Sequence, residues 1–386
     1  MNLSLTSEQS ALAQSLRHLL ADRCPPALVR AVKEQRDPAC LDALWAALAR
    51  VDAFGLAVRP DCGGAGGSPF DAGLLFREGG RALCPSLVYQ SVLFGLAVDR
   101  LGSLEQRRTY LEPLLAGQLR ATSAVADPDD GLSCADRLIA EPAPGGWAVS
   151  GQLRCADGAA WSELAVVTAR APGGTGGGES LALVVRLRSA GVRARPARFI
   201  SGDHMSDLDL DRVRVPAADV LAGIPPGPDL DAELAALRHL TIALACMEMT
   251  GGGEAVLERT VTHVLTRHQF GRPIGSFQAV QHLVADMRIQ LDTARMPAYR
   301  AAWLCGREPQ PTAAVARAKM LGGTAYKQLT WSAHQLHGGM GFIRETDLHL
   351  WSERAKLTDL QFGSPDIASG WLEAELGLSA DASETA

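Results

Sequence analysis

The chain has 386 residues, and its 47% hydrophobic and 21% charged content excludes a disordered polymer. At about 100–200 residues per domain, two or three domains with a large core are expected. The 37 Lys and Arg against 43 Asp and Glu leave a net charge of -6, which argues against a nucleic-acid partner. No uninterrupted apolar run is long enough for a bilayer, and Met1 to Gln9 does not read as a secretory signal, so a cytoplasmic protein with no membrane partner is expected.

Helical periodicity comes first. Leu12, Leu16, Leu19 and Leu20 form one apolar stripe and Leu41, Leu44, Trp45, Leu48 and Val51 another, with Thr6 or Ser7 as a cap. Between Arg59 and Pro69 the glycines and prolines enforce a loop. A helix precedes it, whereas a phosphate-cradling loop follows a strand. Residues 1–119 read as an N-terminal all-helical domain.

From Thr122 the period shortens to that of strands, in Trp147–Ser150, Leu164–Thr168, Leu181–Val185 and Val192–Phe199. Turns fall at Asp127–Gly131 and in the glycine-rich stretch 173–178. A middle antiparallel, barrel-like β-domain over 120–226 follows, ending in the linker Gly223–Pro228. Helix returns over 230–265, 277–304, 311–337 and 347–361, which predicts a C-terminal four-helix bundle over 227–386. The fold class is α+β, with the order helix, sheet, helix. The eight cysteines, none in a C-x-x-C pair, read as buried free thiols, and no metal site is expected: His349 and Glu353 share a helix face but lack a third ligand at useful spacing.

The stretch Arg267-His-Gln-Phe-Gly-Arg-Pro-Ile-Gly-Ser-Phe-Gln278, at a turn between two long helices, resembles a signature of the acyl-CoA dehydrogenase family. Gln335-Leu-His-Gly-Gly-Met-Gly-Phe342 resembles that family's C-terminal flavin-contact segment, and Asp207–Pro216 the end of its middle β-domain. The resemblance runs along the whole chain in order. It implies an acyl-CoA dehydrogenase-like fold, FAD as cofactor, an oligomer, and α,β-dehydrogenation of an acyl thioester carried on coenzyme A or a carrier protein. By the same carry-over Arg267 pairs with the pyrophosphate of a neighbouring subunit's FAD, a task that suits its planar fork. Phe270 packs near the adenosine, Gln278 bonds the dinucleotide, and Gln335, Gly338 and Gly339 meet the same flavin, with His337 beside them. Ser364 stands where a family threonine bonds the cofactor.

The departures are as informative. The two positions at which the family places its catalytic carboxylate are Phe362 and Thr241 here, and neither side chain is a base near neutral pH. Glu248 shares the helix face of Thr241 and is the candidate for a displaced base, beside the unusual run Gly251-Gly-Gly253, where a helix or a ligand must pack closely. In the middle domain a flavin-bonding threonine becomes Ala126, and the Trp-Ile-Thr contact becomes Cys155-Ala-Asp157, which sets a carboxylate where reduced flavin gathers negative charge. Residues that serve a neighbour's flavin persist, while those that cradle the chain's own do not. This asymmetry suggests the supporting subunit of a heteromeric pair, an arrangement the family uses in bacterial breakdown of bulky acyl groups. The alternatives are a stand-alone enzyme of the same fold, with Glu248 or Asp157 participating in an oxidation or a non-redox step, and a non-catalytic binding or scaffold protein.

Overall fold

The computed structural model describes residues 4–34, 37–133, 137–172, 178–197, 199 and 204–378. Cys134 and the glycine-rich stretch 173–177 lie outside them. Helices α1 (Ser7–Arg23), α2 (Pro26–Glu34), α3 (Asp42–Ala49), α4 (Pro69–Ala82), α5 (Ser86–Leu101) and α6 (Leu104–Leu115) make the N-terminal part. Thr6 starts α1 with a reciprocal capping box to Gln9, and Ser68 starts α4 the same way with Asp71, immediately after the glycine-rich loop. Helix α5 is buried along nearly its whole length, which its run of Leu, Val, Phe and Ala dictates.

Among the described residues seven strands follow: β1 (Ala121–Ala124), β2 (Leu138–Ala143), β3 (Gly146–Asp157), β4 (Leu164–Ala171), β5 (Glu179–Arg186), β6 (Val192–Pro196) and β7 (Met205–Pro216). They join in the order β1-β4-β2-β3-β7-β6, with β5 on β4. The β2–β3, β3–β7, β6–β7 and β4–β5 ladders are antiparallel as expected, but β1 lies parallel to β4 over Ala121↔Leu164 to Ala124↔Val167, and β2 touches β4 in parallel at Ile139↔Arg170. The sheet is therefore mixed. Val149, Leu183, Leu208, Val213 and Val215 fill a core of its own, distinct from the large helical core.

Helices α7 (Pro228–Thr266), α8 (Gln278–Leu304), α9 (Thr312–His337) and α10 (Leu348–Leu360) match the four periodic segments. A further helix, α11 (Pro365–Glu375), was not anticipated; Ser364 caps it, its Oγ accepting from Ile367 N at 3.3 Å. Between α7 and α8 a two-residue hairpin pairs β8 (His268–Gln269) with β9 (Arg272–Pro273). Part of α7 has a mean hydropathy of 1.2 over 18 residues, and all of that stretch is buried inside the fold. It is a core helix. The Gly251–Gly253 run lies on it, and its cause is packing: a Cβ on Gly251 would fall 1.7 Å from the Arg77 carbonyl oxygen on α4, and one on Gly252 would fall 2.3 Å from the Tyr326 ring on α9. Glycine lets three helices meet there.

Candidate functional site

Two places bring the singled-out residues together. The first is a cleft between sheet and helices, with an empty volume of ≈ 590 Å³ that includes its open mouth. Its walls come from the end of β1 and the turn after it (Ser123 to Pro128), the last residues of β3 (Leu153 to Asp157), Gln90 on α5, Arg238 on α7, and Gln361 with Phe362 after α10. Ala126, Asp157 and Phe362, three positions flagged as departures, meet in this one cavity. Thr241 does not join them: it is buried in α7, and its hydroxyl donates back to the Leu237 carbonyl at 2.9 Å.

The turn beside the cleft is tightly held. Asp127 Oδ1 accepts from the backbone N–H groups of Asp129 and Asp130 at 2.9 and 3.1 Å, while its other oxygen pairs with Arg137. Arg137 also reaches Asp129 at 3.2 Å. Arg238, although 6% exposed, donates to the Val125 carbonyl at 3.3 Å, so its charge lies under the cleft floor. Asp157, 5% exposed, accepts from Ser86 Oγ at 2.6 Å and from Gln361 Nε2 at 3.4 Å. Its backbone carbonyl takes the Thr122 hydroxyl at 2.6 Å. Cys155 and Phe362 both hold left-handed backbone, with φ of 50° and 60°, a conformation that costs a side-chain-bearing residue about 1 kcal/mol or more. Burial, and after it the neighbouring Asp207, pushes the Cys155 thiol up, so it is no thiolate nucleophile.

Glu248 is elsewhere. It is 6% exposed, does not line the cleft, and accepts from Arg354 Nη1 at 2.9 Å in a buried ion pair. The geometry gives it a role in packing α10 against α7 and offers no opening to a substrate. Glu353, which shares a helix face with His349, is taken by Lys33.

The second place is the end of the helical bundle. Phe270 and Gly271 occupy the two turn positions of the β8–β9 hairpin with φ of 55° and 80°, the signature of a type I′ turn. The hairpin therefore holds Phe270 out, 91% exposed, with the edge of Phe277 beside it at 6.0 Å between ring centroids. Arg267 and Gln278 flank the hairpin and are exposed. The ring of His263 on α7 stacks on that of His337 on α9 at 4.1 Å, which brings Gln335, Gly338 and Gly339 to the same end. Gly338 has φ 58°, which calls for glycine, and Gly339 has neither a positive φ nor any atom within 4 Å of a Cβ built on it. Among the described residues nothing restricts a side chain at 339.

Sequence reasoning missed Gln90, Arg137, Arg238 and Gln361. Arg238 carried a signal, being a charge within the apolar stripe of the longest helix; Gln90 lies likewise inside an apolar helix, where an amide is worth noticing.

The family model described as "Acyl-CoA dehydrogenase, N-terminal domain" matches residues 6–118, and "Acyl-CoA dehydrogenase, C-terminal domain" matches residues 232–376. The chain is 29% identical over 374 residues to acyl-CoA dehydrogenase IpdE2 of Mycobacterium tuberculosis, covering 96% of this chain and 97% of that protein. It is 29% identical over 376 residues to the 3-sulfinopropanoyl-CoA desulfinase of Paraburkholderia xenovorans, covering 94% of each. The ChsE4–ChsE5 complex of Mycobacterium tuberculosis shares the fold, with a TM-score of 0.85 at 22% identity over 99% of this chain and all of its counterpart.

Proposed function

Since the chain belongs to the acyl-CoA dehydrogenase family, we propose that it serves α,β-dehydrogenation of an acyl thioester, on coenzyme A or a carrier protein, as the supporting subunit of a pair with a homologue. In this reading its bundle end completes an FAD site that the homologue holds. FAD, when bound, supplies the hydride acceptor. The observation that carries the reading is the contrast between the two places. At the bundle end an exposed guanidinium, an exposed aromatic ring on a rigid hairpin and a glycine facing open space fit the phosphate, base and backbone contacts of a dinucleotide. In the cleft, Phe362 is apolar where a carboxylate would take the α-proton.

Arg267 would hold the pyrophosphate, Phe270 the adenosine, and Gln278, Gln335, Gly338 and Gly339 the neighbouring polar groups. Ser364 fits less well, because its hydroxyl oxygen already caps α11. That ChsE4 and ChsE5 occur as one complex supports a two-chain arrangement. A second reading, a stand-alone enzyme performing an oxidation or a non-redox step in its own cleft, draws on Asp157 and, for the non-redox step, on the name of the desulfinase relative.

The test is purification alone and after co-expression with a homologue that carries the catalytic carboxylate, measuring FAD per chain and bleaching by acyl thioester. The pair is expected to hold FAD and bleach, and the lone chain to be flavin-poor and inert. Arg267→Ala should weaken FAD binding by the pair about tenfold or more, the worth of a lost charge-assisted bond. A lone chain with one FAD per subunit that turns over unaided would overturn the proposal in favour of the second reading.

A further inference from the structure

We infer that the cleft of this chain binds an acyl thioester whose acyl group carries a hydroxyl. The inference rests on the acyl-thioester reading above and adds the chemistry of the buried end of the ligand.

Gln90 lines the cleft at 3% exposure, and its Oε1 has no hydrogen-bond partner. A buried amide oxygen left unpaired costs about 1–3 kcal/mol. Such a group calls for a partner, and one that lines a cleft can find it in whatever fills the cleft. One turn earlier on the same face of α5, Ser86 fixes the Asp157 carboxylate at 2.6 Å, and Gln361 brings a second carboxamide to that carboxylate at 3.4 Å. Two carboxamides and a carboxylate thus line one cavity, together with Ser123 and Thr168.

A plain alkyl chain would bury these groups without compensation. A carboxylate on the ligand would face Asp157, and an ammonium would face Arg137, Arg154 and Arg238, all of which line the same cavity. A neutral group that both donates and accepts meets neither obstacle. A hydroxyl can donate to the carboxylate or to the Gln90 oxygen and accept from an amide N–H, so it satisfies the Gln90 carboxamide in either of its two orientations. With Phe362 in place of a carboxylate, this is a binding site first, whichever chain of a pair performs the oxidation.

The experiment is titration calorimetry of the full chain, in its complex where one forms, with butyryl-CoA, 3-hydroxybutyryl-CoA and 4-hydroxybutyryl-CoA. At least one hydroxylated thioester is expected to bind ten times more tightly than butyryl-CoA. Gln90→Leu, which keeps the volume and the apolar surroundings, should bring the two affinities within threefold, largely by improving the binding of butyryl-CoA; a folded protein is verified by its circular dichroism. Equal affinities in the wild type, or a preference unchanged in Gln90→Leu, overturn the inference while leaving the thioester reading intact. Binding of none of the three also overturns the inference, while the FAD content and bleaching of the pair decide the acyl-thioester reading separately.

Discussion

Gly251 lies within α7 and Gly339 just past the end of α9, and the space around them differs completely. A Cβ at 251 meets the Arg77 carbonyl oxygen at 1.7 Å, a backbone atom that cannot swing aside, so α4 and α7 would have to separate. Gly251→Ala is expected to destabilise the fold by about 2 kcal/mol or more, read by urea unfolding. At 339 a Cβ meets nothing, and Gly339→Ala should leave stability within about 0.5 kcal/mol of wild type. If Gly339 serves a partner's dinucleotide, the same variant lowers the FAD content of the pair. A Gly339→Ala chain that is as stable as wild type and retains FAD equally would remove that residue from the site. The two readings of the glycine run, helix packing or a ligand, could not be separated from sequence, because both require only that the Cβ be missing.

At the scale of elements, the turn carrying Gln361 and Phe362 depends on a residue far from it in sequence. Lys319, fully buried on α9, donates to the carbonyls of Thr358 and Gln361 at 2.5 and 2.7 Å, satisfying groups that the end of α10 leaves open. Burial pulls its ammonium down to about 8 from an ordinary 10.5. Between those values the unfolded chain binds a proton that the folded one does not, so folding stability from this group rises with pH from about 8 to 10.5. Lys319→Met should lose that rise and, by orphaning two carbonyls, destabilise the turn by about 1–3 kcal/mol. Parallel unfolding curves against pH for both proteins would refute the assignment. Long helices were legible because each repeats its apolar stripe over many turns. Helix α11 was not: it is short, begins with Pro365 and contains Gly370, so its composition reads as a loop. The parallel β1–β4 pairing escaped as well, since alternation within a strand reveals its faces but not its neighbour. The same limit applies to the cleft. Phe362 and Asp157 could be flagged as odd one at a time, whereas Gln90 and Arg238 acquire meaning only once α5, α7 and the sheet close around them.

Across the whole molecule, the bundle end gathers unprotected apolar side chains, Phe270 at 91%, Phe342 at 77% and Trp331 at 66% exposed, near histidines that are poorly placed for charge. The His263 ring is pushed down from its ordinary value by burial, then by His337 and Arg267. Burial, with Arg259 adding to it, lowers His337 even though the ring bonds the Ala333 carbonyl at 2.8 Å. His334, on the same turn of α9 and bonded to Ser352 Oγ at 2.6 Å, is lowered chiefly by burial as well. Each of these rings is therefore neutral in the fold at a pH where the unfolded chain already carries protons. Their contribution to stability is complete above about 6.5 and is lost as pH falls through the lower folded values. Replacing one ring of the stacked pair removes both its own titration and its repulsion of the other. His337→Gln should therefore show a shallower loss of stability between pH 7 and pH 5 than wild type, whatever its stability at pH 7. The measurement is urea unfolding at half-unit steps of pH, and an equal slope in both proteins would show that acid acts on the fold somewhere other than this end of the bundle.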